Sequence, residues 1–213
     1  MKLVLHWVSI GFLTLGVVSS NNAYAGNWRF PIGVTYLKGI DEASDLWEQN
    51  RRNEGDNPDS ASAARISINF SPYYQFDNGL GLGLGIGPES GKLEKDDNGN
   101  LRIAFFNVPV HVDARWAYLP QGGGFSPYVR VGMRKNFAQG DYVVEGKIGP
   151  FAGIGFEYLR PRGVVDFGME LTVDKSEVEF DVVNASGNKT ATRNIQLQKT
   201  MLSVYFIFGK TKR

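Results

Sequence analysis

Leu80-Gly81-Leu82-Gly83-Leu84-Gly85-Ile86-Gly87 places four branched apolar side chains on one face of an extended chain and four glycines on the other. Strict alternation is the mark of a β-strand whose two faces meet different surroundings. Further on, Phe106, Val108, Val110, Val112, Ala114, Trp116 and Tyr118 alternate with Asn107, Pro109, His111, Asp113 and Arg115. There the contrast is apolar against charged, so one face is dry and the other polar. Six more runs keep period two, over 28–36, 66–76, 128–134, 148–158, 165–174 and 195–208, which makes eight predicted strands. In the last run Ile195 and Leu197 are out of phase with Leu202, Val204, Phe206 and Phe208, which predicts a bulge between Gln198 and Met201. Arg102 falls in the apolar phase at the start of the fourth run and predicts a similar irregularity.

The connections alternate in length. Long polar segments at 39–63, 88–100, 135–147 and 175–192 take turns with short ones at 77–79, 119–124 and 160–163. Asp77-Asn78-Gly79, Pro120-Gln121-Gly122-Gly123-Gly124 and Arg160-Pro161-Arg162-Gly163 carry hairpin chemistry. The pattern is that of an up-and-down meander with its long loops at one end. Trp28, Phe30, Tyr74, Phe76, Trp116, Tyr118, Phe156, Tyr158, Phe206 and Phe208 lie in the apolar phase at the strand ends near the short turns or the termini. They are predicted to form one ring, the girdle that a membrane interface selects.

Period two does not say which face is inside. An eight-stranded barrel has barely enough interior for its own side chains, so glycines suit the inside and bulky aromatics the outside. Strands of about 9–11 residues match a bilayer, and a bilayer admits only helices or closed barrels. The expected fold is therefore all-β: an eight-stranded antiparallel up-and-down transmembrane β-barrel with long extracellular loops and short periplasmic turns.

Export fits this reading. Lys2, the apolar run from Leu3 to Val18 and Ala23-Tyr24-Ala25 have the layout of a cleavable signal peptide, giving 1–25 as the signal and 26–213 as the barrel domain. The 213 residues are 42% hydrophobic and carry 23 basic against 22 acidic side chains, a net charge of +1. That balance speaks against nucleic acid as a partner. With no cysteine, disulfides, thiol catalysis and thiolate metal sites are excluded. Of the two histidines, His6 belongs to the signal, so multi-imidazole metal sites are excluded too, and no cofactor is expected.

Asn107-Val108-Pro109-Val110-His111-Val112-Asp113-Ala114-Arg115-Trp116, followed by Ser126-Pro127-Tyr128-Val129-Arg130-Val131-Gly132, resembles the central hairpin of the small eight-stranded outer-membrane proteins of Gram-negative bacteria, of the OmpA transmembrane domain and OmpX type. The closing Leu202-Ser203-Val204-Tyr205-Phe206-Ile207-Phe208 is similar to their C-terminal insertion signal. The resemblance implies location in the outer membrane and recognition of the last strand by the assembly machinery. The chain departs from the family in continuing past its final aromatic with Gly209-Lys210-Thr211-Lys212-Arg213. Such motifs identify an architecture and leave the function to the site.

The inward phase holds Arg29, Arg65, Arg115, Arg130 and Arg134 against Asp113, Glu157, Asp166, Glu170 and Asp174. Five charges of each sign predict a salt-bridged plug, with an ion-conducting lumen as the alternative. His111 and Asp113 share that face, and an imidazole beside a carboxylate is half of a nucleophilic site. Outer-membrane lipid A deacylases use a serine and a histidine. Their substrate arrives from the lipid, however, where an inward His111 does not reach, so no catalytic residue is assigned. The long segments contain 16 acidic side chains, which could draw a divalent cation or a basic partner or simply stand beside lipopolysaccharide. Glu94-x-Asp96-x-Asn98-Gly99 is part of a calcium-loop pattern, but its twelfth position is Phe105 where a glutamate is needed, so it reads as a turn and no metal site is expected. The expected function is a non-enzymatic outer-membrane barrel acting through its extracellular loops, in contact with membrane lipid and lipopolysaccharide and with an extracellular ligand. A narrow porin-like channel and a lipid-modifying enzyme are the alternatives.

Overall fold

Period-two sequence becomes strand throughout the wall. The computed structural model describes residues 26–38, 40–55, 66–95, 101–118, 123–160, 165–197 and 200–209. The expected signal peptide, Arg65 and parts of the 119–124 and 160–163 turns lie outside the described residues. In chain order the elements are β1 (Gly26–Lys38), α1 (Ile40–Asn53), β2 (Ile66–Phe70), β3 (Tyr73–Phe76), β4 (Leu80–Ile86) and β5 (Glu89–Lys95). They continue with β6 (Leu101–Ala117), β7 (Gly124–Gly140), β8 (Val143–Gly146), β9 (Ile148–Leu159), β10 (Val165–Asp174), β11 (Val178–Val183), β12 (Lys189–Ile195) and β13 (Thr200–Phe208).

The wall closes as an antiparallel ring of eight strand positions: β1, β13, β10, β9, β7, β6, then β4 with β5, then β3 with β2, and back to β1. The second position breaks at Ser71-Pro72, where proline has no N–H to give. Hydrogen bonds from Ser71 N to Pro31 O (3.2 Å) and from Leu84 N to Pro72 O (3.1 Å) carry the wall across the break. Following paired residues around the ring, Leu37 leads to Met201, Thr172, Gly153, Arg130, Arg115, Gly81, Gln75 and finally Asn27. The path returns to its own strand ten residues lower, so the shear is ten (37 − 27). Eight strands with that shear tilt by about 40°, and each residue climbs ~2.5 Å while each step to the next strand in this direction descends ~3 Å.

Those increments place the side chains vertically. The ten girdle aromatics fall in a band about 9 Å tall at the short-turn end. Their side chains point outward: Phe30, Trp116, Tyr118, Tyr158, Phe206 and Phe208 are exposed, and Trp28, Tyr74, Phe76 and Phe156 are partly covered by neighbouring rings. Phe125 and Phe167 join them, stacked on Phe156 and Tyr158 at 4.5 and 5.5 Å between ring centroids. Above the band the outward rows are aliphatic, among them Ile32, Val34, Val131, Ile154 and Val204.

The long connections differ from the polar loops expected. The segment 39–63 contains α1, and 175–192 supplies β11 and part of β12, which form a second sheet in the order β12-β11-β8. Ala43, Leu46 and Trp47 on one side of α1 pack with Ala104, Phe105, Val178, Phe180, Ile195 and Leu197 in a buried apolar cluster. The cap meets the barrel at β6, where two successive residues, Ala104 and Phe105, are both buried between exposed Ile103 and Phe106. That slip, with register shifts against β5, is the irregularity foreseen near Arg102. The stretch 198–199, where a bulge was expected, lies outside the described residues; before it Ile195 and Leu197 belong to the cap, which accounts for their phase, and after it the barrel strand starts at Thr200. Asn50 is fully buried and ties α1 to β11, donating to Asp181 O (2.6 Å) and accepting from Val183 N (3.1 Å).

Candidate functional site in the barrel lumen

Inward-facing side chains fill the barrel in layers. Nearest the short turns, Arg29 Nη2 lies 2.7 Å from Asp166 Oδ2 and 3.9 Å from Glu157. Above them Arg115 Nη1 is 2.7 Å from Glu157 Oε1. Its guanidinium is held between the rings of Tyr73 and Tyr128, 4.2 and 3.9 Å from their centroids. Tyr73 donates to Glu157 (2.9 Å). Tyr128 donates to Glu170 (2.7 Å), so Tyr205, 2.6 Å away, is the donor to Tyr128.

The next layer centres on Arg130, 2.8 Å from Asp113 and 3.0 Å from Glu170. Thr172 donates to the same Glu170 oxygen at 2.7 Å. Higher still, Arg134 Nε is 3.0 Å from Asp174, and both Arg130 and Arg134 lie over the Phe151 ring. Asn107, Asn136 and Ser176 complete the stack with hydrogen bonds of 2.9 and 3.0 Å. The glycine face of β4 makes room for this: a Cβ on Gly81 would lie 2.8 Å from Arg115 Cγ, and one on Gly83 would lie 3.2 Å from both Asp113 oxygens.

Four of the five predicted arginines and all five carboxylates are thus brought together, while Arg65 lies outside the described residues. Most pairs join a strand to the next but one, because directly opposite residues are of like kind, Arg115 with Arg130 and His111 with Arg134, while Arg130–Asp113 joins the adjacent β7 and β6. The tyrosines were not among the expected site residues. Their signal was present in the sequence, since Tyr73, Tyr128 and Phe151 occupy the inward phase, where an aromatic is out of place on a bilayer wall.

His111 does not form a catalytic relay. Ser71 Oγ (3.3 Å), Asp113 Oδ2 (3.6 Å) and Arg130 Nη2 (2.6 Å) all approach the same ring nitrogen, Nε2. A relay needs base and orienting partner on opposite nitrogens. With Arg130 donating to Nε2, that atom is an acceptor already engaged. Beside it a chamber of about 50 Å³ is lined by hydroxyl and amide groups, Thr35, Ser67, Asn69, Ser71, Thr172 and Ser203. Its floor is the layer of Tyr73, Arg115, Tyr128 and Tyr205.

On the cap, several acidic side chains are paired: Lys147 with Glu179 (2.9 Å), Lys189 with Asp181 (2.7 Å), and Arg193 with Glu42 (2.9 Å). The Lys147 hydrogen bond holds the Glu179 carboxyl below its ordinary value. Tyr142, in the left-handed backbone region at φ 63°, bonds to Glu54 at the end of α1. Burial, then that bond, raises its phenol. Among the described residues no group of three or more His, Asp or Glu is placed to hold a metal ion.

A shear-ten ring of eight antiparallel strands, apolar outside and ion-paired inside, is the fold of the small eight-stranded outer-membrane barrels. Among solved structures, the outer membrane protein OprG from Pseudomonas aeruginosa is similar with a TM-score of 0.58 at 12% identity, covering 89% of this chain and 98% of that chain. Neisserial surface protein A gives 0.49 at 12% identity, over 86% and 96%. The Outer Membrane Protein W of E. coli gives 0.47 at 12%, over 87% and 98%. The likeness to OprG makes the resemblance read from the central hairpin and the closing strand one of fold. No protein-family model matches the sequence, and no curated protein matches it either.

Proposed function

We propose that this protein is a non-enzymatic, integral outer-membrane barrel of a Gram-negative cell, exported by residues 1–25, closed to ions, and acting through the cap on its extracellular side. The observation that carries the reading is the stack from Arg29–Asp166 to Arg134–Asp174. An ion moving through it must part oppositely charged groups that are 2.7–3.0 Å apart. The outward wall supports the membrane half of the proposal: from the aromatic band to the first outward lysines it is apolar over ~25 Å, the height of a barrel's lipid-facing belt.

With the lumen largely occupied by paired side chains, the surface that the described residues offer an external ligand is the cap, whose exposed hairpin β11–β12 turns at Ser186-Gly187. The test has two arms. Refolded protein in planar bilayers is expected to give no resolvable current steps, and steps that respond to Glu170→Gln would favour the narrow porin-like channel. A short epitope inserted between Ser186 and Gly187 is expected to bind antibody on intact cells, whereas one in the 119–124 turn requires permeabilised cells; the reverse result overturns the orientation.

A further inference from the structure

The two rims of the apolar wall are built from different chemistry. At the short-turn end the outward positions are aromatic. At the other end, on three neighbouring strands, lysines meet the outward aliphatic rows, with exposed Phe137 beyond Lys135 on β7. On β7 the row Val129, Val131, Met133 is followed by Lys135, and on β10 the row Phe167, Met169, Leu171, Val173 is followed by exposed Lys175. Between them β9 carries outward Ile154 and Ile148, with Lys147 next in the chain.

Register brings the three together. Lys135 pairs with Ile148, Lys147 N donates to Glu177 O (2.7 Å), and Lys175 N donates to Pro150 O (3.0 Å). From the tilt and shear, Lys135 and Lys175 lie at nearly one level, ~25 Å above Asn27, with Lys147 a few ångströms higher. The neighbouring carboxylates are Glu145, 3.2 Å from Lys135, and Glu179, 2.9 Å from Lys147. Exposed pairs of this kind contribute little and yield to a competing anion.

We propose that this face, centred on Lys135 and Lys175, is a binding site for a phosphorylated glycolipid of the outer leaflet, with phosphates on the ammonium groups and acyl chains along Met133, Ile148, Leu171 and Val173. A free phosphate would use the lysines alone. The unbroken aliphatic rows directly beneath them argue for a lipid. The inference rests on the membrane-spanning reading and is tested apart from it.

The experiment is native mass spectrometry of the folded full chain in detergent, titrated with a diphosphorylated glycolipid, its dephosphorylated form and inorganic phosphate. Selective retention of the diphosphorylated lipid is expected. Each lysine near an anionic surface is worth roughly fivefold, so Lys135→Ala with Lys175→Ala should weaken retention by roughly twenty-five-fold, and Lys189→Ala on the cap should leave it unchanged. Equal retention of the two lipids, an unaffected double variant, or displacement by equimolar inorganic phosphate overturns the proposal. Insertion of the same preparation into liposomes reports on membrane residence separately, so a barrel that inserts but shows no lipid preference refutes only the site.

Discussion

Replacing Arg130 with methionine keeps most of its length and removes its charge from between two carboxylates. Asp113 and Glu170, 2.8 and 3.0 Å from the guanidinium, then lose their shared counter-ion. Breaking a buried pair by removing one partner costs about 3–5 kcal/mol. Glu170 keeps hydrogen bonds from Tyr128 and Thr172, which holds the loss toward the lower figure. For a chain of this size ~3 kcal/mol corresponds to a midpoint about 6–12 °C lower. The assay is the heat-dependent gel-mobility shift of the folded barrel in detergent, backed by urea unfolding. Adding Glu170→Gln removes one of the two orphaned anions at nearly constant volume, so the double variant should be more stable than the two single losses sum to. Strict additivity, or a single variant that melts with the native protein, would refute the idea that these buried groups neutralise one another.

Three further outcomes follow from the geometry. Ile154→Arg, near mid-height on the outward face, should cost about 2–4 kcal/mol in folding into liposomes, while Val110→Arg, close to the upper rim, should cost about 0–1; equal costs would contradict the vertical placement. Trp47→Ala should remove about 3–5 kcal/mol from the cap core and make α1 protease-sensitive, leaving the barrel's heat shift in place; a lost heat shift would mean that cap and barrel fold as one unit. Because the Tyr142 phenol is raised in the folded protein, its link to Glu54 should hold through neutral pH and up to the ordinary tyrosine range and weaken as pH rises beyond it, read as faster proteolysis of α1 in alkali; a cap equally resistant at high pH would remove Tyr142 from the account.

The barrel was legible because lipid outside and charge inside force every wall residue to declare its face. Leu82 against Gly83, or Val112 against Asp113, needs no partner to be read. The cap was not legible for the opposite reason. Ala43, Leu46 and Trp47 have helical spacing, and Val178, Phe180 and Val182 alternate, but both sets lie among Asp41, Glu42, Asp45, Glu48, Glu177, Glu179 and Asp181, and the charges dominated the reading. Nor does parity choose partners within the lumen. Arg115 and Arg130 are direct neighbours across β6 and β7, yet they reach Glu157 on β9 and Glu170 on β10. Only the closed ring decides who meets whom.

The cap also sets an order of events. Asn50 and Asp181, which join α1 to β11, are 131 residues apart in the chain. One follows the first strand of the barrel and the other precedes the last, so neither connection can build this core alone. Contacts of such separation form late, after the entropy of closing the intervening chain has been met. A buried Trp47 is therefore a marker that the first and final long connections have both emerged on the same side, and its fluorescence would time the completion of assembly rather than its start.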